Sequence, residues 1–353
     1  MKIKLPLMGR IAGPLVFLFF VFIPTLSGLT FEGRMILATT CWVGIWWMTE
    51  AIPIEATALL PIIVFPLTGA LDLKSTTFLY SHPLIFLFLG GFMIAIAIEQ
   101  WNLHQRIALN IIVKMGSQPR QLILGFMIAT GLLSMWISNT ASTLMMVPIG
   151  LSVVSASQGD SQFTKALLLS IAFSASIGGM ATLIGTPPNI VFAAIIKESF
   201  DISINFIDWM LLGVPFSTLL IFITWIVITR IVFHIPNDAA SSSEVNKQLE
   251  ALGKISFEEK RVLIVFVTTA FLWMTRRLLW QVYLPHLNDT IIAIFGGLSL
   301  FLIPDKTGGR LLTWEMSKKV PWGVLILFGG GLSIANAFVK TDLATWLGGQ
   351  LHL

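Results

Sequence analysis

Ser134, Ser138, Asn139 and Thr140 interrupt an otherwise apolar stretch, SMWISNTASTLMMVPI (134–149), and a second interruption, TLIGTPPN (182–189), brings in Gly185 and Thr186. Uncharged polar groups in hydrocarbon are costly unless something binds them. Ser138 follows Ser134 by one helical turn, so their hydroxyls can face one point. The Asn139 side-chain carbonyl adds an oxygen, and the Gly185 main-chain carbonyl can close the shell. An all-oxygen, uncharged shell suits a sodium ion better than a transition metal, which would draw on His or Cys. The Asn139 amide and the Thr140 hydroxyl can then donate to a carboxylate or sulfate oxygen. Helix ends at such interruptions present unpaired N–H groups and a positive dipole end, which favour an anion.

Other chemistries find little support. The 18 Asp and Glu fall at segment edges or in loops, and no acid or His sits mid-span. Proton-coupled carriers rely on an intramembrane Asp, Glu or His, so a metal cation is the expected coupling ion. HExxH and GxSxG are absent from the sequence, which leaves no visible site for a hydrolase, and the chain is read as a non-enzyme. The single cysteine, Cys41, rules out an internal disulfide and reads as a small buried hydrophobe. No basic stripe suggests nucleic acid. Glu50 and Glu55, beside Pro53, read as interfacial structural groups.

The elements that must hold the two interruptions are membrane helices. Hydrophobic residues make up 56% of the 353, and charged residues only 11%, against about 25% in a soluble domain. The fold class is therefore an all-α polytopic membrane protein. Spans are predicted near 11–30, 33–49, 54–71, 83–99, 208–233, 261–280, 288–303 and 321–339. Residues 118–137 and 141–157 form a re-entrant hairpin with SNT at its tip, and 163–181 with 190–200 form one broken span. That makes nine spans and one hairpin. Non-helical backbone at this depth is tolerated only where protein buries it or a wet cavity borders it. Singly, SNT reads as a turn with Ser138 or Asn139 as N-cap, and GTPPN as a proline kink; together they favour a binding site. Residues 100–117 read as an amphipathic interfacial helix with Arg106 and Lys114, and 235–260 as a polar linker.

With the N-terminus inside, sixteen of the 22 Lys and Arg fall on the cytoplasmic side, against Arg34, Lys74, Lys197, Arg276, Arg277 and Lys340 outside. The N-terminal apolar run lacks a cleavage site and reads as a first transmembrane helix. FLGGFMIAIAIEQWNL (88–103) lines up with FGGGLSIANAFVKTDL (328–343), 240 residues later. A looser echo joins 38–50 to 267–277. The first copy starts outside and the second inside, as in the inverted repeats of secondary transporters. The same offset puts a second tip near position ~378 and a second break near ~425, so the second repeat is expected to be incomplete at Leu353.

WWMTEAIPIEATALLPIIVFPLTG (46–69), SMWISNTASTLMMVPI and GGMATLIGTPPN (178–189) together resemble three signatures of the divalent anion:sodium symporter family, in order along the whole chain. The resemblance implies import of divalent organic anions, C4-dicarboxylates or citrate, coupled to sodium by an elevator motion of a transport domain against a fixed scaffold, in a homodimer in the inner membrane. It implies sodium on Ser134, Ser138, Asn139 and Gly185. It also implies half of a substrate site on Ser138, Asn139 and Thr140, to which Thr186 is added. The chain divides accordingly into an N-terminal helix (1–32), scaffold spans and interfacial helix of the first repeat (33–117), its transport-domain part (118–234), a cytoplasmic linker (235–260) and scaffold spans of the second repeat (261–353). The departure from the family pattern is the missing second tip, and residues 1–353 alone are expected to transport nothing. An exchanger or a sodium/sulfate symporter on the same fold, and an anion channel, are the competing readings.

Overall fold

The computed structural model describes residues 5–23, 28–156, 161–235 and 243–351. Among them the chain is helical, with one isolated antiparallel bridge, Pro304 to Arg310. The helices are α1 Leu5–Phe22, α2 Phe31–Thr49, α3 Ile54–Thr57, α4 Leu60–Thr68, α5 Leu73–Phe78, α6 Pro83–Gln100, α7 Leu103–Met115, α8 Pro119–Ser134, α9 Asn139–Ala156 and α10 Ser161–Gly179. After them come α11 Pro187–Phe200, α12 Phe206–Ile226, α13 Ser243–Ala251, α14 Phe257–Thr275, α15 Gln281–Tyr283, α16 Asp289–Leu302, α17 Trp314–Ser317, α18 Trp322–Lys340 and α19 Leu343–Leu351. Among the described residues, five stretches are long and apolar enough to cross a bilayer: Leu5–Phe22, Leu73–Gln100, Phe206–Val232, Phe257–Tyr283 and Trp322–Lys340. The chain is thus an all-α multi-pass membrane protein in architecture. It forms two compact units, one of Met1–Phe86, Val191–Ser203 and Pro321–Leu353, the other of Leu87–Ile190 and Ile204–Val320.

In the first unit, α1 lies on α2 through Gly9 and Gly13, where any side chain would collide with Thr49 or with Trp42 and Trp46. Small residues allow this approach, as membrane packing requires, and the Trp46 indole donates to the Gly9 carbonyl at 2.9 Å. Thr30 caps α2 by accepting from Gly33 N, and α2 ends at Glu50 in the left-handed region. The span predicted at 54–71 is two short helices instead. Pro61 has no N–H and its ring excludes a continuous helix, so the chain breaks at Ala58 and Leu59 and restarts as α4. The Ala58 carbonyl freed by this break accepts the Tyr80 hydroxyl at 2.5 Å. Met35, Ile36, Phe65, Ala70, Ala337 and Leu343 form the core of this unit. Cys41 is free and half-buried, not fully buried.

In the second unit, residues Leu103–Met115 form the helix α7, and its Arg106 is held by partners within the protein. Its guanidinium pairs with the Glu259 carboxylate at 2.9 Å and donates to the carbonyls of Leu252, Gly253 and Lys254. Glu259 also completes a capping box with Ser256 at the start of α14. The polar linker contains a helix, α13, whose Val245 is buried and whose Gln248 donates to Ser152 Oγ of α9 at 2.6 Å; its residues 236–242 lie outside the described set. Arg276, placed in an outer loop by the sequence, is buried in an extension of α14 and pairs with Asp289 at 2.8 Å. Asp289 is at a helix edge as expected, yet is itself buried. The segment predicted to span at 288–303 is α16, 14 residues, or about 21 Å at 1.5 Å per residue, short of a full crossing.

The repeat has a backbone counterpart. Asn102 (φ 57°) and Asp342 (φ 52°) stand at equivalent positions and both adopt the left-handed conformation. Each ends a long helix and is followed by a buried Leu, Leu103 and Leu343. Within its own unit each copy also sets a glycine against the main chain of an alanine, Gly90 on Ala293 and Gly330 on Ala58. Gly90→Val should therefore lower the melting temperature of the purified protein by several degrees, since overpacking costs about 1–3 kcal/mol. Gly44→Ala, where nothing lies within 4 Å, should leave it unchanged or raise it.

Candidate functional site

Both interruptions belong to the second unit, and they meet. Helix α8 approaches α10 so closely that a side chain on Gly178 would strike the Gly131 main chain. This contact brings the C-terminal ends of α8 and α10 together. After Ser134 the chain turns through Met135, Trp136 and Ile137, and α9 begins at Asn139. After Gly179 it makes a series of tight turns, Ala181 N to Gly178 O, Gly185 N to Thr182 O and Asn189 N to Thr186 O, before α11 starts at Pro187. Proline suits the first helical position, where no N–H is needed.

Side chains lock the two together. Ser134 is fully buried, and its hydroxyl lies 2.8 Å from Asn139 Oδ1 and 2.7 Å from the Ala175 carbonyl, to either of which it can donate. The Thr182 hydroxyl donates to the Met135 carbonyl at 2.5 Å, joining the break to the hairpin across 47 residues. Asn189, also buried, donates its amide to the carbonyls of Gly179 at 2.9 Å and Thr182 at 2.7 Å. The Trp209 indole takes the Met180 carbonyl at 2.9 Å. Gly179 has no room for a side chain because Asn139 Oδ1 occupies that place, and Gly185 in turn abuts the Gly179 carbonyl.

The tip rests on an aromatic shelf. Trp136 stacks with Phe206 at 5.9 Å and meets Phe266 edge-on at 4.8 Å, and Phe206 stacks on Trp273 at 4.5 Å. Asp289 holds this shelf by accepting Phe206 N at 2.9 Å, while its carbonyl accepts the Trp273 indole at 2.9 Å.

Of the residues singled out by sequence, Ser134 and Asn139 are in direct contact, and Gly185 is one residue removed, through Gly179. Ser138 is exposed and its hydroxyl accepts Ala141 N at 3.2 Å, so the N-cap reading of SNT is correct as far as it goes. Thr140 is exposed in the first turn of α9, and Thr186 is half-buried in the break. Among the described residues no hydrogen bond is seen that joins Ser138, Thr140 or Thr186 side chains to the Ser134–Asn139 pair. Thr182 and Asn189 were missed. Both stand inside the quoted TLIGTPPN, and a side chain with two donors following two prolines was the available signal.

Electrostatically the site is a junction of four helix ends. The C-termini of α8 and α10 direct carbonyls toward it, which suits a cation, while the N-termini of α9 and α11 suit an anion. Among the described residues no cluster of three His, Cys, Asp or Glu could hold a metal, so the available ligands are neutral oxygens.

The profile of the sodium:sulfate symporter transmembrane region matches residues 6–353. The sodium-dependent dicarboxylate transporter SdcS of Staphylococcus saprophyticus is 44% identical over 364 residues, covering 98% of this chain and 70% of that relative. SdcS of Staphylococcus aureus strain USA300 is 42% identical over 366 residues, again covering 98% of this chain and 70% of the relative.

Thr182→Val would leave the Met135 carbonyl without its side-chain donor, a loss of about 1–3 kcal/mol for a buried group. It should lower the melting temperature, whereas Thr182→Ser, which keeps the hydroxyl, should restore most of it.

Proposed function

The chain belongs to the sodium:sulfate symporter family, and from that premise we propose that it carries a divalent organic anion into the cell together with sodium. The observation that carries this reading is the contact of buried Ser134 with half-buried Asn139, 2.8 Å apart, at the meeting of four helix ends. The pair offers two neutral oxygens to a sodium ion, with the Gly185 and Ser138 oxygens as the further proposed ligands. The exposed Ser138 and Thr140, with the Asn139 amide and Thr186, face the substrate in this reading. A sodium ion held beside α9 makes the N-terminal end of that helix a better partner for a carboxylate, so each ligand raises the affinity for the other.

The similar transporters are named for dicarboxylate, which supports that class as substrate; succinate, malate and fumarate fit it, and citrate and sulfate are the alternatives. Moving a dianion inward against about 100 mV costs roughly 4.6 kcal/mol, at about 2.3 kcal/mol per charge. One sodium ion leaves a net negative charge and two neutralise it, so the proposed coupling uses at least two sodium ions per dianion. The chain is placed in the inner membrane with its N-terminus in the cytoplasm, following the distribution of Lys and Arg. Residues 118–234 are assigned to a transport domain that moves against a scaffold of 33–117 and 261–353, in a homodimer.

Ser134→Ala should raise the sodium concentration needed for half-maximal effect about tenfold, with a smaller change in the substrate constant at saturating sodium, since about 1–3 kcal/mol per lost bond corresponds to tenfold or more. In a protein that carries both tips, Asn139→Ala should abolish uptake while the protein still inserts. Sodium-driven accumulation of labelled succinate, malate, citrate and sulfate in vesicles checks both and ranks the substrates. Uptake that ignores the sodium gradient but follows internal dicarboxylate would replace symport by exchange.

A further inference from the structure

Asn189 stands where two donors are missing. The break leaves the carbonyls at the end of α10 without the helical partners a continuous segment would give them. The first two residues of α11, Pro187 and Pro188, carry no N–H to take their place. Asn189 is the next residue. Its side chain is buried and lies 2.9 Å from the Gly179 carbonyl and 2.7 Å from the Thr182 carbonyl. Both partners are acceptors, so the atom facing them is the amide nitrogen, and both of its protons are used.

Gly179 is the point through which this matters for the ion. Its carbonyl is held by Asn189 and lies where a Gly185 side chain would go, and Asn139 Oδ1 lies where a Gly179 side chain would go. Asn139 Oδ1 in turn meets the Ser134 hydroxyl. A shift of Gly179 by a few tenths of an ångström therefore moves Asn139 and Gly185 together. Thr182, the other carbonyl Asn189 holds, is the residue whose hydroxyl ties the break to the hairpin at Met135.

We propose that Asn189 is a positioning residue that sets the sodium affinity, by fixing Gly179 and Thr182 so that the Asn139 and Gly185 oxygens converge with Ser134. It does not touch the ion or the substrate. The inference rests on the reading of Ser134 and Asn139 as sodium ligands.

The test is thermal denaturation of the purified full chain over a sodium chloride series, with choline chloride keeping ionic strength constant and no substrate present. A ligand that binds only the folded state raises the melting temperature with concentration, so the series reads affinity and fold stability separately. Asn189→Asp keeps the shape and removes both donors; it should raise the sodium concentration for half-maximal stabilisation at least tenfold. Asn189→Ser, which can donate once, should give a smaller rise and serves if the Asp variant does not fold. Thr130→Val, which removes a buried hydroxyl bonded only to Phe126 O in α8, is the structural control: its melting temperature should fall with the sodium midpoint unchanged. Ser134→Ala is run alongside. If Ser134→Ala moves the midpoint and both Asn189 variants lower only the melting temperature, the inference is overturned and the sodium site stands. If neither Ser134→Ala nor the Asn189 variants move it, the sodium assignment itself fails.

Discussion

A main chain that stops being helical inside a bilayer must find partners for its freed N–H and C=O groups, because no water is there to take them. Two of the places where the second unit leaves the helix, after Ser134 and after Gly179, lie together. Each interruption is answered by the other's side chains: Ser134 reaches the Ala175 carbonyl of α10, and Thr182 reaches the Met135 carbonyl after α8. Once joined, they leave some oxygens and N–H groups facing a shared point, and that remainder is what a ligand can use.

The packing that makes this possible depends on absent side chains. Gly131 and Gly178 let α8 and α10 touch main chain to main chain, and Gly179 makes room for Asn139 Oδ1. A Cβ at either of the last two positions would separate the parts of the site. The outer supports are larger and less exacting. Trp136, Phe206 and Trp273 form a stacked shelf under the tip, and the Arg276–Asp289 pair closes its far side. A buried ion pair of this kind adds little net stability, because desolvation opposes the attraction, but losing one partner is severe. Arg106 and Glu259 repeat the arrangement on the side of α7, where one guanidinium also gathers three successive carbonyls after α13.

The same economy of charge separates the readings of function. A proton-coupled carrier needs a group that titrates within the site, and the residues that close this knot are Ser, Thr, Asn and Gly. A channel needs a continuous polar path, whereas here the polar groups form one compact knot closed by side-chain hydrogen bonds. Family membership supports sodium-coupled anion symport, and the neutral oxygens at these four helix ends are the place we propose for the ion.

The sequence alone determined the class of protein, since a charged fraction of 11% cannot cover a water-facing surface. It located both interruptions and picked out Ser134 and Asn139, because polar residues in an apolar run are visible without knowing what they touch. The 240-residue repeat was also legible, and the paired left-handed residues Asn102 and Asp342 follow it. What stayed hidden depends on pairings across long separations: Thr182 with Met135, Ser134 with Ala175, and Arg106 with Glu259 across 153 residues. Local periodicity says that a residue is buried and not what it is buried against, so Arg106 and Arg276 read as membrane-edge charges until tertiary packing gave them partners. The break of 54–71 into α3 and α4 was readable from Pro61, but only the fold supplied the Tyr80 hydroxyl that takes the freed Ala58 carbonyl. Asn189 stood in plain view within GTPPN. Its role came from the tertiary structure, because two carbonyls seven and ten residues back turn toward its amide only after α10 has ended against the hairpin.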